Sequence, residues 1–216
     1  MKIALDGPAG AGKSTLAKAL AKRCGYTYIN TGALYRAFTL KTLNEALDID
    51  DEDVLRKALG EVRMEIEGDN VYLDGNNIKD QIYTPLIDQN ISKIASNPTI
   101  RQYMSALQKK MADETENVIM EGRDIATVVM PEADIKFFIT ATVEERARRR
   151  MKQNEEKNIF HTYEDTLKDI LYRDERDTKR KFAPLMMTKD SIVIDNTGKT
   201  LEETIEEMIW IMQKKK

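Results

Sequence analysis

The run Gly7-Pro8-Ala9-Gly10-Ala11-Gly12-Lys13-Ser14, followed by Thr15, satisfies the spacing G-x-x-x-x-G-K-[ST]. Glycines at these positions permit backbone torsions that turn successive N–H groups toward one point, and a helix starting just after the loop adds partial positive charge there. Such a point fits a polyphosphate. Lys13 is placed to reach the β- and γ-phosphates, and the Ser14 hydroxyl to complete the shell of a Mg²⁺ ion otherwise held by phosphate oxygens and water. The context agrees, because Lys2-Ile3-Ala4-Leu5 reads as a strand before the loop. After it, Ser14 to Arg23 carries Leu16, Ala17, Ala19 and Leu20 on one helical stripe that Gly25 closes. Gly7 to Thr15 therefore implies binding of ATP or GTP, and it leaves the second substrate unnamed.

Arginine supplies the next constellation. As a helix at about 100° per residue, Glu144-Glu145-Arg146-Ala147-Arg148-Arg149-Arg150 puts Arg146, Arg149 and Arg150 on one face. Arg173, Arg176 and Arg180 follow at spacings of three and four, with Asp177 on the same side. Taken alone, each set reads as a solvated face with pairs such as Glu145 with Arg149, Asp169 with Arg173, and Arg173 with Asp177, each worth about 0.2–0.5 kcal/mol. Beside a phosphate-binding loop the same residues read differently. Moving a phosphoryl group between two anions needs fixed positive charge at the donor, at the acceptor and at the group in flight. Guanidinium forks match phosphate oxygens two at a time and keep their proton at neutral pH. Lys13, Arg146, Arg149 and Arg173 are accordingly the candidate catalytic side chains. The polar stretch from Lys152 to Thr166 fits a mobile connection able to close as a lid, and the lone His161 within it reads as an exposed or capping residue.

The elements that must position these groups are visible as five short apolar runs: Ile3 to Leu5, Tyr26 to Ile29, Val118 to Met120, Ile135 to Ile139, and Ile192 to Ile194. Runs without polar alternation are what strands buried on both faces need, and helical patterns between them favour a parallel sheet covered by helices. From about residue 60 to 110 the pattern changes. Val62 to Ile66 and Val71 to Leu73, separated by Gly68-Asp69-Asn70 and followed by Asp74-Gly75-Asn76-Asn77, predict a small antiparallel meander, with Ile91 to Met111 helical behind it. The 216 residues suit one core with insertions, and 34 Lys+Arg against 37 Asp+Glu leave a charge of -3 that points away from nucleic acid or membrane as the main partner. Cys24 is the single cysteine and reads as a small buried apolar residue; Lys214 to Lys216 reads as a frayed end. With no signal-like or membrane-length apolar segment, a cytoplasmic, soluble protein is expected.

Five motifs, in order and spacing, resemble the bacterial cytidylate kinases: Asp6-Gly-Pro-Ala-Gly-Ala-Gly-Lys13, Thr31-Gly-Ala-Leu-Tyr-Arg36, Glu121-Gly-Arg-Asp124, the Arg146 helix, and Arg173-Asp-Glu-Arg-Asp-Thr-Lys-Arg180 with Ala183-Pro-Leu185. The resemblance covers essentially the whole chain. It implies an α/β fold of the P-loop NTPase type: a five-stranded parallel sheet flanked by helices (1–32, 112–145 and 181–216), a small mixed α/β lobe for the nucleoside monophosphate (33–111) and a helical lid (146–180). The implied reaction is ATP plus CMP or dCMP giving ADP plus CDP or dCDP with Mg²⁺, carried out by a monomer on small-molecule substrates. By resemblance Thr31, Tyr35 and Arg36 line the monophosphate pocket, and Arg36 and Arg180 meet the acceptor phosphate. Ser92, Arg123 and Asp124 belong at the nucleotide, the first two at the edge of cytosine, and Arg173 with Asp177 at the sugar hydroxyls. A free-standing reading of Thr31-Gly32 agrees, as a cap on a helix whose first turns expose Tyr35 and Arg36.

Thr140 departs from the pattern of some members, in which an acid ends the fourth strand and contacts the base. A threonine there offers one hydrogen bond and no charge-assisted one, which predicts measurable turnover of UMP. Asp6, Glu121 and Asp124 near strand ends read either as holders of Mg²⁺ through water or as structural. Two other functions fit the glycine loop. A kinase for a hydroxyl acceptor would use Asp124 as base, but the arginines exceed what a neutral acceptor requires. A nucleotide switch would leave them unused, and no guanine-reading Asn-Lys-x-Asp run is present.

Overall fold

The computed structural model describes residues 1–156 and 159–215; positions 157 and 158 of the expected lid connection, and position 216 of the basic tail, lie outside the described residues. In chain order the elements are β1 (Lys2–Asp6), α1 (Lys13–Cys24), β2 (Thr27–Asn30), α2 (Thr31–Asn44), α3 (Glu52–Glu61), β3 (Met64–Glu67), β4 (Asn70–Leu73), β5 (Asn76–Asn77), α4 (Pro85–Ser96), α5 (Pro98–Asp113), β6 (Val118–Glu121), a π-helical turn (Ile125–Val129), β7 (Ile135–Thr140), α6 (Val143–Glu156), α7 (Tyr163–Lys179), β8 (Ile192–Asp195) and α8 (Leu201–Lys214). Two compact units result, Met1–Tyr28 with Thr115–Lys216, and Ile29–Glu114. Among the described residues no helix is long and apolar enough to cross a membrane.

All five apolar runs are strands of one sheet in the order β2-β6-β1-β7-β8. β1 pairs in parallel with β6 and β7, and β7 with β8. Each strand ends one residue beyond its apolar run, on Asp6, Asn30, Glu121, Thr140 or Asp195, so polar groups collect at the carboxyl ends, where open parallel sheets bind ligands. β1 and β6 are buried on both faces, as the runs predict, and β7 nearly so; the edge strands β2 and β8 are only half-covered. Leu16 and Leu20 of α1 and Ile205 and Met208 of α8 pack on Ile3, Leu5, Phe137 and Ile139, each large side chain adding about 1.5–3 kcal/mol by its burial. Gly25, at φ 69°, ends α1 by donating its N–H to the Ala21 carbonyl. Cys24 lies half-buried at the margin of this core rather than inside it, because it occupies the last turn of α1.

The second unit carries the expected meander, three antiparallel strands in the order β3-β4-β5. Its turns use Gly68 at φ 58° and Asp74-Gly75 at 49° and 82°. Phe38, Leu55, Ile82, Ile100 and Met104 centre its core. Three local features differ from the sequence reading. The helix foreseen from Ile91 to Met111 is two helices, because Pro98 pushes Asn97 into an extended conformation; Asn97 then caps α5 by accepting from Thr99 N at 2.9 Å and Ile100 N at 3.1 Å. The cap of α2 is Asn30, which accepts from Ala33 N at 3.2 Å, and Thr31 is already helical. Tyr35 faces the core instead of solvent.

Candidate active site

The glycine loop leaves β1 pressed against β7. A Cβ on Gly7 (φ 151°) would lie 2.0 Å from the Ile139 carbonyl oxygen, and one on Gly10 (φ 74°) would come within 3.2 Å of Arg146. Gly12, at φ 84°, precedes α1 with no side-chain cap, and no acid follows in the first turn, which leaves the positive helix end to a ligand. Ser14 and Thr15 are exposed on that turn. Lys13 folds back, buried, and donates from Nζ to the Pro8 carbonyl at 2.8 Å. Burial first, and then the neighbouring Arg123, bring its pKa from 10.5 to about 7.

Beneath the loop the Asp6 carboxylate accepts from Ile125 N at 2.9 Å and Ala126 N at 2.7 Å, which fastens the π-helical turn to β1. Burial raises Asp6 to about 6, against the pull of those two amides. Glu121 accepts the Tyr28 hydroxyl at 2.6 Å, and Asp124 stands 3.5 Å from Arg180.

Arg146 and Arg149 of α6 both turn toward the glycine loop, as the helical face predicts. Arg146 is buried; it donates to the Ala141 carbonyl at 3.1 Å, to the Ala9 carbonyl at 2.9 Å and to Asp174 at 2.5 Å, and Asp174 accepts from Ala9 N at 3.1 Å. Its guanidinium thus braces the loop's own backbone. Arg149 donates from Nε to Glu145 at 3.0 Å and places its terminal fork on Asn196 Oδ1 and O, both at 2.9 Å. The second arginine set divides. Arg176 stacks on Tyr172 with 5.6 Å to the ring centre, whereas Arg173 acts electrostatically on Asp177. Arg180 lies outside α7, in extended backbone, so it does not share the helical face with Arg173; it donates to the Ala183 carbonyl at 2.5 Å and lies 3.4 Å from Asp177. Arg123 donates from Nε to Asp177 at 2.8 Å. Burial would raise the Asp177 carboxyl, but Arg123, then Arg180 and Arg173, outweigh it and hold it below its ordinary value. Thr140 ends β7, and its carbonyl accepts from Asn196 N at 3.0 Å. His161 is exposed, and the cap of α7 is its neighbour Thr162.

Within the second unit Thr31 and Tyr35 are buried on α2. Arg36 donates to the Ile82 carbonyl at 2.9 Å and to Asp88 at 2.6 Å, with Tyr83 beneath its guanidinium at 5.2 Å. Ser92 is half-buried on α4, one turn beyond Asp88. The sequence reading passed over Arg101, a buried arginine of α5 that donates to the Ala95 carbonyl at 3.1 Å and lies over Tyr35 at 5.6 Å. Its signal is the stripe Arg101, Met104, Gln108 and Ala112, where polar residues occupy the buried face of a helix. Asp174 and Asn196, polar and unremarkable in sequence, also join the site.

The family model described as cytidylate kinase matches residues 3–214. The chain is 45% identical over 99% of its length to the cytidylate kinase of Caldanaerobacter subterraneus subsp. tengcongensis, covering 95% of that protein. It is 41% identical over 100% of its length to that of Carboxydothermus hydrogenoformans (98% covered) and 44% identical over 96% to that of Clostridioides difficile (95% covered). Of solved structures, shikimate kinase from Bacteroides thetaiotaomicron is similar at TM-score 0.53 and 15% identity, covering 99% of this chain and 98% of that one. TT1252 from Thermus thermophilus is similar at TM-score 0.52 and 19% identity, covering 99% and 96%. At these identities the structures show a shared fold, that of the P-loop kinases.

Proposed function

The chain belongs to the cytidylate kinase family, and from that premise we propose that it transfers the γ-phosphoryl group of ATP to CMP or dCMP, giving ADP and CDP or dCDP. The observation that supports this reading within the first unit is that Arg123 and Arg180, paired with Asp177 and Asp124, stand on the same unit as the glycine loop: two guanidiniums already desolvated and oriented, able to exchange a carboxylate for a phosphate oxyanion, an arrangement a neutral acceptor does not require. The backbone amides from Gly10 to Thr15 hold the triphosphate, and Lys13 leaves the Pro8 carbonyl to meet the β- and γ-phosphates. ATP arrives as its Mg²⁺ complex. Ser14 fits that ion, since an exposed hydroxyl adds one oxygen to a hard cation otherwise ligated by phosphate and water; the ion supplies charge neutralisation.

No general base is required. A nucleoside monophosphate with a second pKa near about 6 is largely dianionic at neutral pH and already carries its nucleophilic oxygen. In this reading Arg36 and Arg180 hold the acceptor phosphate, with Thr31 and Tyr35 lining its pocket. Ser92, Arg123, Asp124 and Thr140 face the nucleoside, together with Arg101 through its contact with Tyr35. Arg173 and Asp177 hold the sugar hydroxyls. The unit Ile29–Glu114 serves as the monophosphate lobe, and α6 and α7 serve as the lid. The reading includes a cytoplasmic monomer acting on small-molecule substrates. ADP release measured with CMP, dCMP, UMP and shikimate as acceptors tests it: CMP and dCMP are expected to dominate. Turnover of shikimate alone would replace the reading with that of a hydroxyl kinase using Asp124 as base.

A further inference from the structure

Asn196 follows the last residue of β8 and is buried, with a relative exposure of 4%. Its contacts join three elements far apart in sequence. The side-chain Nδ2 donates to the Ala11 carbonyl of the glycine loop at 2.9 Å. Its Oδ1 accepts from Arg149 Nη1 at 2.9 Å, and its main-chain oxygen accepts from Arg149 Nη2 at 2.9 Å. Its own N–H is tied to the Thr140 carbonyl at 3.0 Å, which anchors it to the end of β7. Every hydrogen bond that fixes this amide is thus made to backbone or to one guanidinium, and the amide is oriented by them: exchanging its O and N would set a carbonyl against the Ala11 carbonyl and an NH₂ against the arginine.

The consequence for Arg149 is geometric. With Nε on Glu145 and both terminal nitrogens on Asn196, the guanidinium is held in one place, 3.6 Å from where a Cβ of Gly12 would be, at the start of α1. A free arginine side chain would have to lose its rotamer freedom on meeting the nucleotide; this one has lost it already. The Ala11 bond does the same for the loop, because it fixes the peptide that leads into Gly12 and Lys13.

We propose that Asn196 is a positioning residue for the phosphoryl donor, locking Arg149 and the Ala11–Gly12 peptide of the glycine loop into a single rigid unit. The proposal rests on the reading of the glycine loop as the ATP site. It predicts that Asn196 acts on the donor through Arg149 and through the Ala11 carbonyl, and leaves the acceptor untouched.

The test is a double-mutant cycle on the full chain, read by equilibrium binding of MgATP without acceptor and by steady-state kinetics with CMP. Asn196→Ala is expected to raise Kd and KM for MgATP about tenfold, with KM for CMP within about twofold of wild type. In an Arg149→Ala background only the Ala11 bond is left to lose, so the same change is expected to cost about threefold instead of about tenfold. Asn196→Asp keeps the acceptor for Arg149 but sets a carboxylate oxygen against the Ala11 carbonyl. It is expected to weaken MgATP as well, and it serves if the alanine variant fails to fold. Equal effects of Asn196→Ala in both backgrounds, or a lowered melting temperature with unchanged MgATP binding, would overturn the proposal. Absence of CMP-dependent ADP release by the wild-type protein would instead remove the cytidylate kinase reading, and the binding arm of the cycle would still decide on Asn196.

Discussion

Lys13 holds a buried ammonium whose pKa of about 7 follows from burial and from Arg123, and a polyphosphate at the same point must raise it again. At pH 7.5 an amine with a pKa of about 7 is only ~25% protonated, so restoring it toward 10.5 takes up ~0.7 proton for each MgATP bound. Titration calorimetry in buffers of different ionisation enthalpy reads this number as the slope of binding enthalpy against buffer enthalpy. The slope is expected to be ~0.5–0.8 at pH 7.5 and to decrease toward pH 6, where Lys13 is already charged. Asp6, at about 6, is ionised at the higher pH and titrates only below it, and Lys13→Met provides the baseline at both values. The same depression has a stability consequence with a definite sign. Between pH 7 and 10.5 the unfolded chain binds more protons than the folded one, so this group's destabilisation is full below about pH 7 and disappears as pH rises to 10.5. The distance from 10.5 to about 7 sets a ceiling of ~5 kcal/mol, of which the Pro8 bond and local relaxation leave ~1–3 kcal/mol to be recovered. Lys13→Met, uncharged and of similar volume, should therefore stabilise the nucleotide-free protein at pH 7 while abolishing phosphoryl transfer. A wild-type proton slope indistinguishable from that of Lys13→Met at pH 7.5 would refute the reasoning.

Gly7→Ala places a Cβ 2.0 Å from a carbonyl of the central sheet, where neither loop nor strand can yield. A loss of more than ~3 kcal/mol and a melting temperature lowered by at least ~6 °C are expected, and a decrease under ~2 °C would show that the loop is not seated on β7. Arg36→Ala removes the guanidinium that Asp88 and the Ile82 carbonyl hold in place, and should raise KM for CMP at least ~10-fold with MgATP binding unchanged. Unchanged CMP kinetics would remove Arg36 from the acceptor site. Thr140, whose hydroxyl cannot accept charge-assisted bonds as an acid would, predicts a CMP over UMP preference in kcat/KM below ~10⁴; a larger ratio would mean that other groups enforce the choice of base.

How much of this was legible in the sequence depends on how local the physics is. The glycine loop was complete because its chemistry lies within nine consecutive positions, Gly7 to Thr15, and the five strands were found because each is an apolar run buried on at least one face. The split between α4 and α5 was equally local: Pro98 restricts Asn97, and the apolar stripe running past it hid the break. Helix α3 escaped notice because its buried Leu55, Ala58 and Leu59 sit among Glu52, Asp53, Arg56, Lys57 and Glu61, which read as surface. Side-chain partners were the least legible. A helical wheel places Arg146 and Arg149 on the right face, but it cannot say that one reaches the Ala9 backbone and the other Asn196. Those contacts span 137 and 47 residues, and Asp174 meets Ala9 across 165.

The arginines that the proposed reading gives to phosphate are each paired with a carboxylate in advance, in keeping with the near-neutral net charge of the chain. Arg36 has Asp88 at 2.6 Å, Arg123 has Asp177 at 2.8 Å, Arg146 has Asp174 at 2.5 Å, Arg149 has Glu145 at 3.0 Å and Arg180 has Asp124 at 3.5 Å. Without those carboxylates each desolvated guanidinium would be an uncompensated charge, at a cost of about 3–5 kcal/mol where it is buried. With them, an arriving phosphate exchanges one oxyanion for another, so the net binding energy is a small difference while the geometry is set beforehand. The exchange is not equally available to all five. Arg146 adds two backbone carbonyls to its short ion pair and is buried, so it belongs to the scaffold of the glycine loop. Arg180 keeps its Nε on the Ala183 carbonyl, while its terminal nitrogens meet Asp124 and Asp177 only at 3.5 and 3.4 Å, so those nitrogens give up little by turning to a phosphate. The sequence reading grouped Lys13, Arg146, Arg149 and Arg173 as catalytic and Arg173 and Arg180 as substrate-binding; among these, the contacts distinguish Arg146, braced on the loop's backbone, from Arg180, whose ion pairs are long.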